Sequence, residues 1–90
     1  MNVNDDPAAY RRRPADVLAA VEIVLRDMGM SRLYRATYPR VGVLSVAAGV
    51  TAWCDGRRIA WRHDGMAHAW SASDPEGAAL RLAELAGGAS

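Results

Sequence analysis

Three side chains in this sequence carry chemistry that could act covalently or hold a metal: Cys54, His63 and His68. A thiol becomes a nucleophile when a base lies within hydrogen-bond reach of it. With a two-residue turn at Asp55-Gly56, His63 falls six residues up the partner strand from Arg57, roughly 20 Å from Cys54. His68, opposite Trp61, is still roughly 13 Å away by the same rise per residue. Cys54 therefore reads as a small buried hydrophobe beside a turn. His63 and His68 can be diagonal neighbours on one sheet face, but two imidazoles do not complete a zinc site and no second cysteine or well-spaced carboxylate joins them. The sequence implies no metal and no cofactor.

The carboxylates have local structural duties. Asp55 and Asp64 belong to Asp-Gly turns, and Asp74 and Glu76 to a helix start. Asp16, Glu22, Asp27 and Glu84 fall on helix surfaces. Glycines occur singly in turns or together near the end, so no phosphate-cradling loop is present. With no paired acids and no motif around the serines, the reading leans away from an enzyme.

What remains is a set of tryptophans and arginines. Trp53 with Arg58 and Arg62 has the composition of an interface hot spot, unless the arginine heads simply stack on the indole. Trp61, His68 and Trp70 could line a small-molecule pocket or enzyme site between helices and sheet. Arg11, Arg12, Arg13 and Arg57 are candidates for contact with an acidic partner or nucleic acid.

These residues need elements to position them. Pro14 suits the first helical position, and Val17, Leu18, Val21, Val24, Leu25 and Met28 form one apolar stripe ending at Gly29. Leu33 to Tyr38 is an extended lead-in or, since Pro39 follows, at most an edge strand. Val41–Ala47, Val50–Cys54, Arg57–His63 and Met66–Ser71 read as strands. Asp55-Gly56 and Asp64-Gly65 are strong hairpin signals, and two in tandem describe a meander. Ser73-Asp74-Pro75-Glu76 offers both a Ser-x-x-Glu capping box and an Asp cap followed by proline. Ala78, Ala79, Leu82, Leu85 and Ala86 follow as a buried side, closed by Gly87-Gly88.

The expected fold is α+β: an antiparallel meander of three to four strands, with an N-terminal and a C-terminal helix on one face, in the order α-β-β-β-β-α. Residues 1–13 read as a flexible tail, 14–87 as the single domain and 88–90 as a second tail.

Turn type decides which side chains share a face. Two-residue turns pair Cys54 with Arg57 and His63 with Met66. They put Val50, Ala52, Cys54, Ile59, Trp61, His63, Met66, His68 and Trp70 on the helix side. Thr51, Trp53, Arg58, Ala60, Arg62, Ala67 and Ala69 then lie opposite. A three-residue turn with a glycine bulge would instead swing Trp53 in beside Ile59 and Trp61. The two-residue turn leaves fewer apolar residues misplaced and is preferred.

Composition narrows the function classes. At 90 residues, 51% apolar and 23% charged, the chain is an ordinary small globular domain. All basic residues are arginine, and phenylalanine and glutamine are absent, a bias expected of a GC-rich bacterial coding sequence. A lone cysteine, a polar acidic start unlike a signal peptide and no bilayer-length apolar run predict a cytoplasmic protein without membrane contact. Net charge is +1, below the basic excess that phosphate binding usually brings. The order helix, three strands, helix is similar to that of double-stranded-RNA-binding domains. Those carry a basic start on the second helix; here that stretch is Asp74-Pro75-Glu76-Gly77-Ala78.

The leading expectation is therefore a non-enzymatic interaction, regulatory or accessory module, self-associating as a homodimer through an exposed sheet face or edge. Nucleic-acid binding by the arginines is the runner-up.

Overall fold

The computed structural model describes residues 12–47 and 49–88. The chain is an α+β domain with the order α1 (Pro14–Asp27), β1 (Tyr34–Thr37), β2 (Gly42–Ala47), β3 (Val50–Cys54), β4 (Arg58–His63), β5 (Met66–Ser71) and α2 (Pro75–Gly88). All five strands form one antiparallel sheet in sequential order. The lead-in is thus a true strand, one more than the expected three to four; it lies at an edge as the first strand of a sequential meander, and Pro39 falls in the connection that follows it.

Helix α1 begins with Pro14 at its first position, where a missing N–H costs nothing. It buries Val17, Leu18, Val21 and Leu25, while Met28, expected in the stripe, is half-exposed at the C-cap. The helix stops in a Schellman motif: Gly29 N–H donates to the Arg26 carbonyl and Met30 N–H to that of Leu25. Helix α2 uses the Asp cap rather than the Ser box. Asp74 Oδ1 accepts the Gly77 N–H at 3.1 Å, whereas the Ser73 hydroxyl is bonded to that of Ser71. Helix α2 runs through Gly88.

Both helices cover the same sheet face. The core they enclose contains Leu18, Val21, Leu25, Leu44, Ile59 and Leu82 together with Cys54 and Trp61. Contact between α1 and β2 is close at Gly42, where an added Cβ would meet Leu18 Cδ1 at 2.7 Å.

The Asp64-Gly65 turn is as expected, with both residues at positive φ and His63 opposite Met66. The Asp55-Gly56 turn is not. Cys54 pairs with Ile59 instead of Arg57, so the two-residue tip is Gly56-Arg57, flanked by Asp55 and Arg58. The Asp55 side chain is the cause: Oδ1 accepts the N–H of Arg57 at 2.8 Å and of Arg58 at 2.9 Å. That folds the tip one residue later, with Gly56 taking φ +96°. A two-residue slip preserves the faces, since side chains alternate with period two. Trp53 therefore points away from the helices, opposite Ala60.

Candidate functional site

The register builds one continuous row on the uncovered face: Ala36 opposite Val43, Val43 opposite Trp53, Trp53 opposite Ala60, Ala60 opposite Ala69. Every member is apolar, and Trp53 stands at its centre, 41% exposed. Beside it lies a concavity of about 250 Å³ bounded by Val41, Trp53, Asp55, Arg58, Ala60 and Ala69. Asp55 holds its carboxyl below the usual aspartate range, chiefly because the Arg58 N–H and then the Arg57 N–H stabilise the charged form. Trp53 thus has a fixed anion and a cation at its rim. Arg62 is on the same face but is directed elsewhere, its Nη2 donating to the Gly65 carbonyl at 3.3 Å. Of the trio Trp53, Arg58 and Arg62, the structure brings the first two to one concavity. Among the described residues the cation–π pair is Arg81 over Trp70, at 5.4 Å, rather than an arginine over Trp53.

On the helix side, the sheet face expected to be core is covered only in part. Val50, Ala52, Cys54, Ile59 and Trp61 are buried, but Met66 is 65% exposed, His68 is exposed, and His63 and Trp70 are only partly covered. The reason is span: α1 touches β1 to β3, α2 crosses β2 to β5, and the far end of the last hairpin runs past both. His68 stacks on Trp61 with ring centroids 5.9 Å apart and planes 14° apart, as its cross-strand position implies. Trp70 Nε1 donates to Asp74 Oδ2 at 3.0 Å.

Trp61, His68 and Trp70 do share a pocket, about 340 Å³, completed by Arg81, Glu84 and Leu85 of α2. The sequence places Leu85 on the buried side of this helix and Glu84 on its surface, but assigns none of the three to the pocket. Their spacing from Asp74 follows one side of a helix, which was the available signal.

Cys54 is no nucleophile in this setting. It is fully buried, burial pushes its thiol pKa up, and its Sγ accepts the Gly56 N–H at 3.3 Å. The slipped register brings His63 to about 13 Å along the partner strand, still far beyond proton-transfer reach. His63 contacts its neighbour Asp64 at 3.3 Å. No cluster of three metal-ligating side chains occurs among the described residues.

Of the basic candidates, Arg11 lies outside the described residues. Arg12 is docked rather than loose, its N–H donating to the Gly56 carbonyl at 3.0 Å, which sets it beside the turn that carries Arg57. Arg12, Arg13 and Arg40 line one shallow depression with Pro14 and Pro39. Among the described residues no helix is long and apolar enough to cross a membrane. No protein-family model matches the chain, and no curated protein or solved structure matches it either.

Proposed function

We propose that this domain is a non-enzymatic interaction module, a regulatory or accessory component of a GC-rich bacterium. It meets a protein partner, a second copy of the chain included, on the open face of its sheet. One observation carries the reading: an apolar row crosses a sheet face that no described element covers, and a half-exposed indole sits at its centre. Burial of tryptophan with a neighbouring arginine is the usual anchor of a protein interface. The single free cysteine, reduced and buried, suits work in the cytoplasm.

The test is the concentration dependence of mass by light scattering, with Trp53→Ala beside the parent chain. Association that weakens at least tenfold in the variant supports the open face. Association identical in a folded Trp53→Ala chain removes that face from the reading.

A second reading rests on the docking of Arg12 against the Gly56 turn, which gathers Arg12, Arg13, Arg40 and Arg57 at one end of the molecule. That cluster suits an acidic protein segment or a nucleic-acid backbone. A nucleic-acid ligand requires affinity that falls steeply with salt and drops on substitution of Arg12 and Arg57. Binding indifferent to salt excludes it.

A further inference from the structure

We infer that the depression formed by Arg12, Arg13 and Arg40 binds a chain of linked phosphates, the group carried by inorganic tripolyphosphate and by the tail of a nucleoside triphosphate. This rests on the same gathering of arginines as the second reading under the proposed function, and it names what they hold.

The arginines of the chain divide by partner. Arg26 and Arg35 share Glu22, Arg81 pairs with Glu84, and Arg62 donates to the Gly65 carbonyl. Arg12, Arg13 and Arg40 have no ion pair and no side-chain hydrogen bond among the described residues, yet they line one depression of about 500 Å³. Its other walls are Pro14 and Pro39, so no carboxylate of the described residues borders it. Asp16, in the first turn of α1, lines a second hollow that Arg12 and Arg13 also border, and it forms no ion pair with either.

Backbone contacts fix all three positions. The Arg12 N–H donates to the Gly56 carbonyl at 3.0 Å. Arg13 is the N-cap of α1, its carbonyl accepting the N–H groups of Asp16 and Val17. Arg40 stands in the β1–β2 connection, which the Tyr38 N–H closes on the Val41 carbonyl at 2.8 Å. Gly42 lets that connection approach the helix, since an added Cβ there would lie 3.5 Å from Pro14. Two of the arginines adjoin a proline, in Arg13-Pro14 and Pro39-Arg40, which fixes φ and lessens the ordering that binding requires. Pro14 also opens the 14-residue α1, whose dipole is positive at this end.

Charge and geometry select the ligand. Guanidinium groups hold phosphate oxygens through parallel N–H···O bonds. Three of them around one depression match the several negative charges that linked phosphates keep close together. The carboxylates of an acidic segment stand on separate flexible stems, each of which must be ordered on binding. A nucleic-acid backbone spaces its single charges along a strand and is held by an extended basic track, which a net charge of +1 does not favour. No aromatic side chain lines the depression, so a base finds no stacking platform there.

Isothermal titration calorimetry of the full chain at physiological ionic strength tests the site. The probes are tripolyphosphate, orthophosphate, ATP, oligoglutamate and a DNA oligonucleotide without terminal phosphates. The parent chain is compared with Arg12→Ala, Arg40→Ala and Arg32→Ala, the last removing the same charge from an exposed arginine outside the depression. Alanine at position 12 keeps the backbone bond to Gly56, and circular dichroism confirms that each variant is folded. Tripolyphosphate should bind at least tenfold more tightly than orthophosphate. Its Kd should rise tenfold or more in Arg12→Ala and Arg40→Ala, and less than twofold in Arg32→Ala. ATP bound more tightly than tripolyphosphate makes a nucleotide the source of the chain; ATP bound equally or more weakly means that the phosphates alone are read.

Failure to bind tripolyphosphate overturns the proposal, as does an equal loss in all three variants. Oligoglutamate or the oligonucleotide bound as tightly as tripolyphosphate also overturns it, while leaving these arginines as a contact for an acidic macromolecule. If none of the probes binds, both readings of the cluster fall.

Discussion

Trp70 and Asp74 are joined by a hydrogen bond of 3.0 Å from the indole Nε1–H to Oδ2, while the other oxygen of the same carboxylate caps α2 at Gly77. One side chain thus ties the last strand to the last helix. The fit is tight: a Cβ on Gly77 would collide with the Asp74 carboxylate and come within 2.8 Å of Trp70 Nε1.

Asp74→Ala should lower stability by about 1–2 kcal/mol, the usual cost of a lost N-cap, while Asp74→Asn keeps most of it. Gly77→Ala should cost at least as much, even though alanine is the better helix former, because the added methyl displaces the cap. Urea denaturation of the three variants checks the order. A stabilised Gly77→Ala chain would contradict the packing at the cap.

The tryptophans separate by burial. Trp61 is 4% exposed and stacked by His68, so Trp61→Ala should cost about 3–5 kcal/mol. Trp53→Ala leaves no enclosed cavity and should cost less, about 1–2 kcal/mol. Thermal melts, paired with acrylamide quenching of the single-Trp variants, report both the energetic order and which indole meets solvent.

Asp55 makes the central turn pH-sensitive. Its folded pKa lies below the unfolded 3.8, so its contribution is present above 3.8 and is lost as pH falls through the folded value. Denaturation midpoints measured downward from pH 5 should therefore fall more steeply in the parent chain than in Asp55→Asn. Equal slopes would mean that the carboxylate does not hold the turn.

Cys54 has the opposite sign. Burial raises its thiol pKa above the ordinary 9.0, so its contribution is complete below 9.0 and is lost as pH rises toward the folded value. The native chain should resist a thiol reagent at neutral pH and react fully once unfolded. Rapid native labelling would place the thiol at the surface instead.

Much of this molecule was legible in its residues. The apolar stripe Val17 to Leu25 and the glycine after it set α1, and the Asp64-Gly65 pair set the last hairpin, because helix period and positive φ are local requirements. The faces of the meander followed from alternation alone. They survived an error of register at Asp55, since a slip of two residues returns every side chain to its own side.

Three things needed the tertiary structure. The Asp55 carboxylate captured two backbone N–H groups and moved the turn tip to Gly56-Arg57, a competition between near-equal local geometries. Packing of the two helices decided which part of the helix-side face is core, leaving Met66, His68 and Trp70 incompletely covered although their pattern reads as buried. Placement of α2 across the sheet then brought Arg81, Glu84 and Leu85 against those aromatics. Alternation assigns a residue to a face, but only the reach of a packed helix determines whether that face is closed to water.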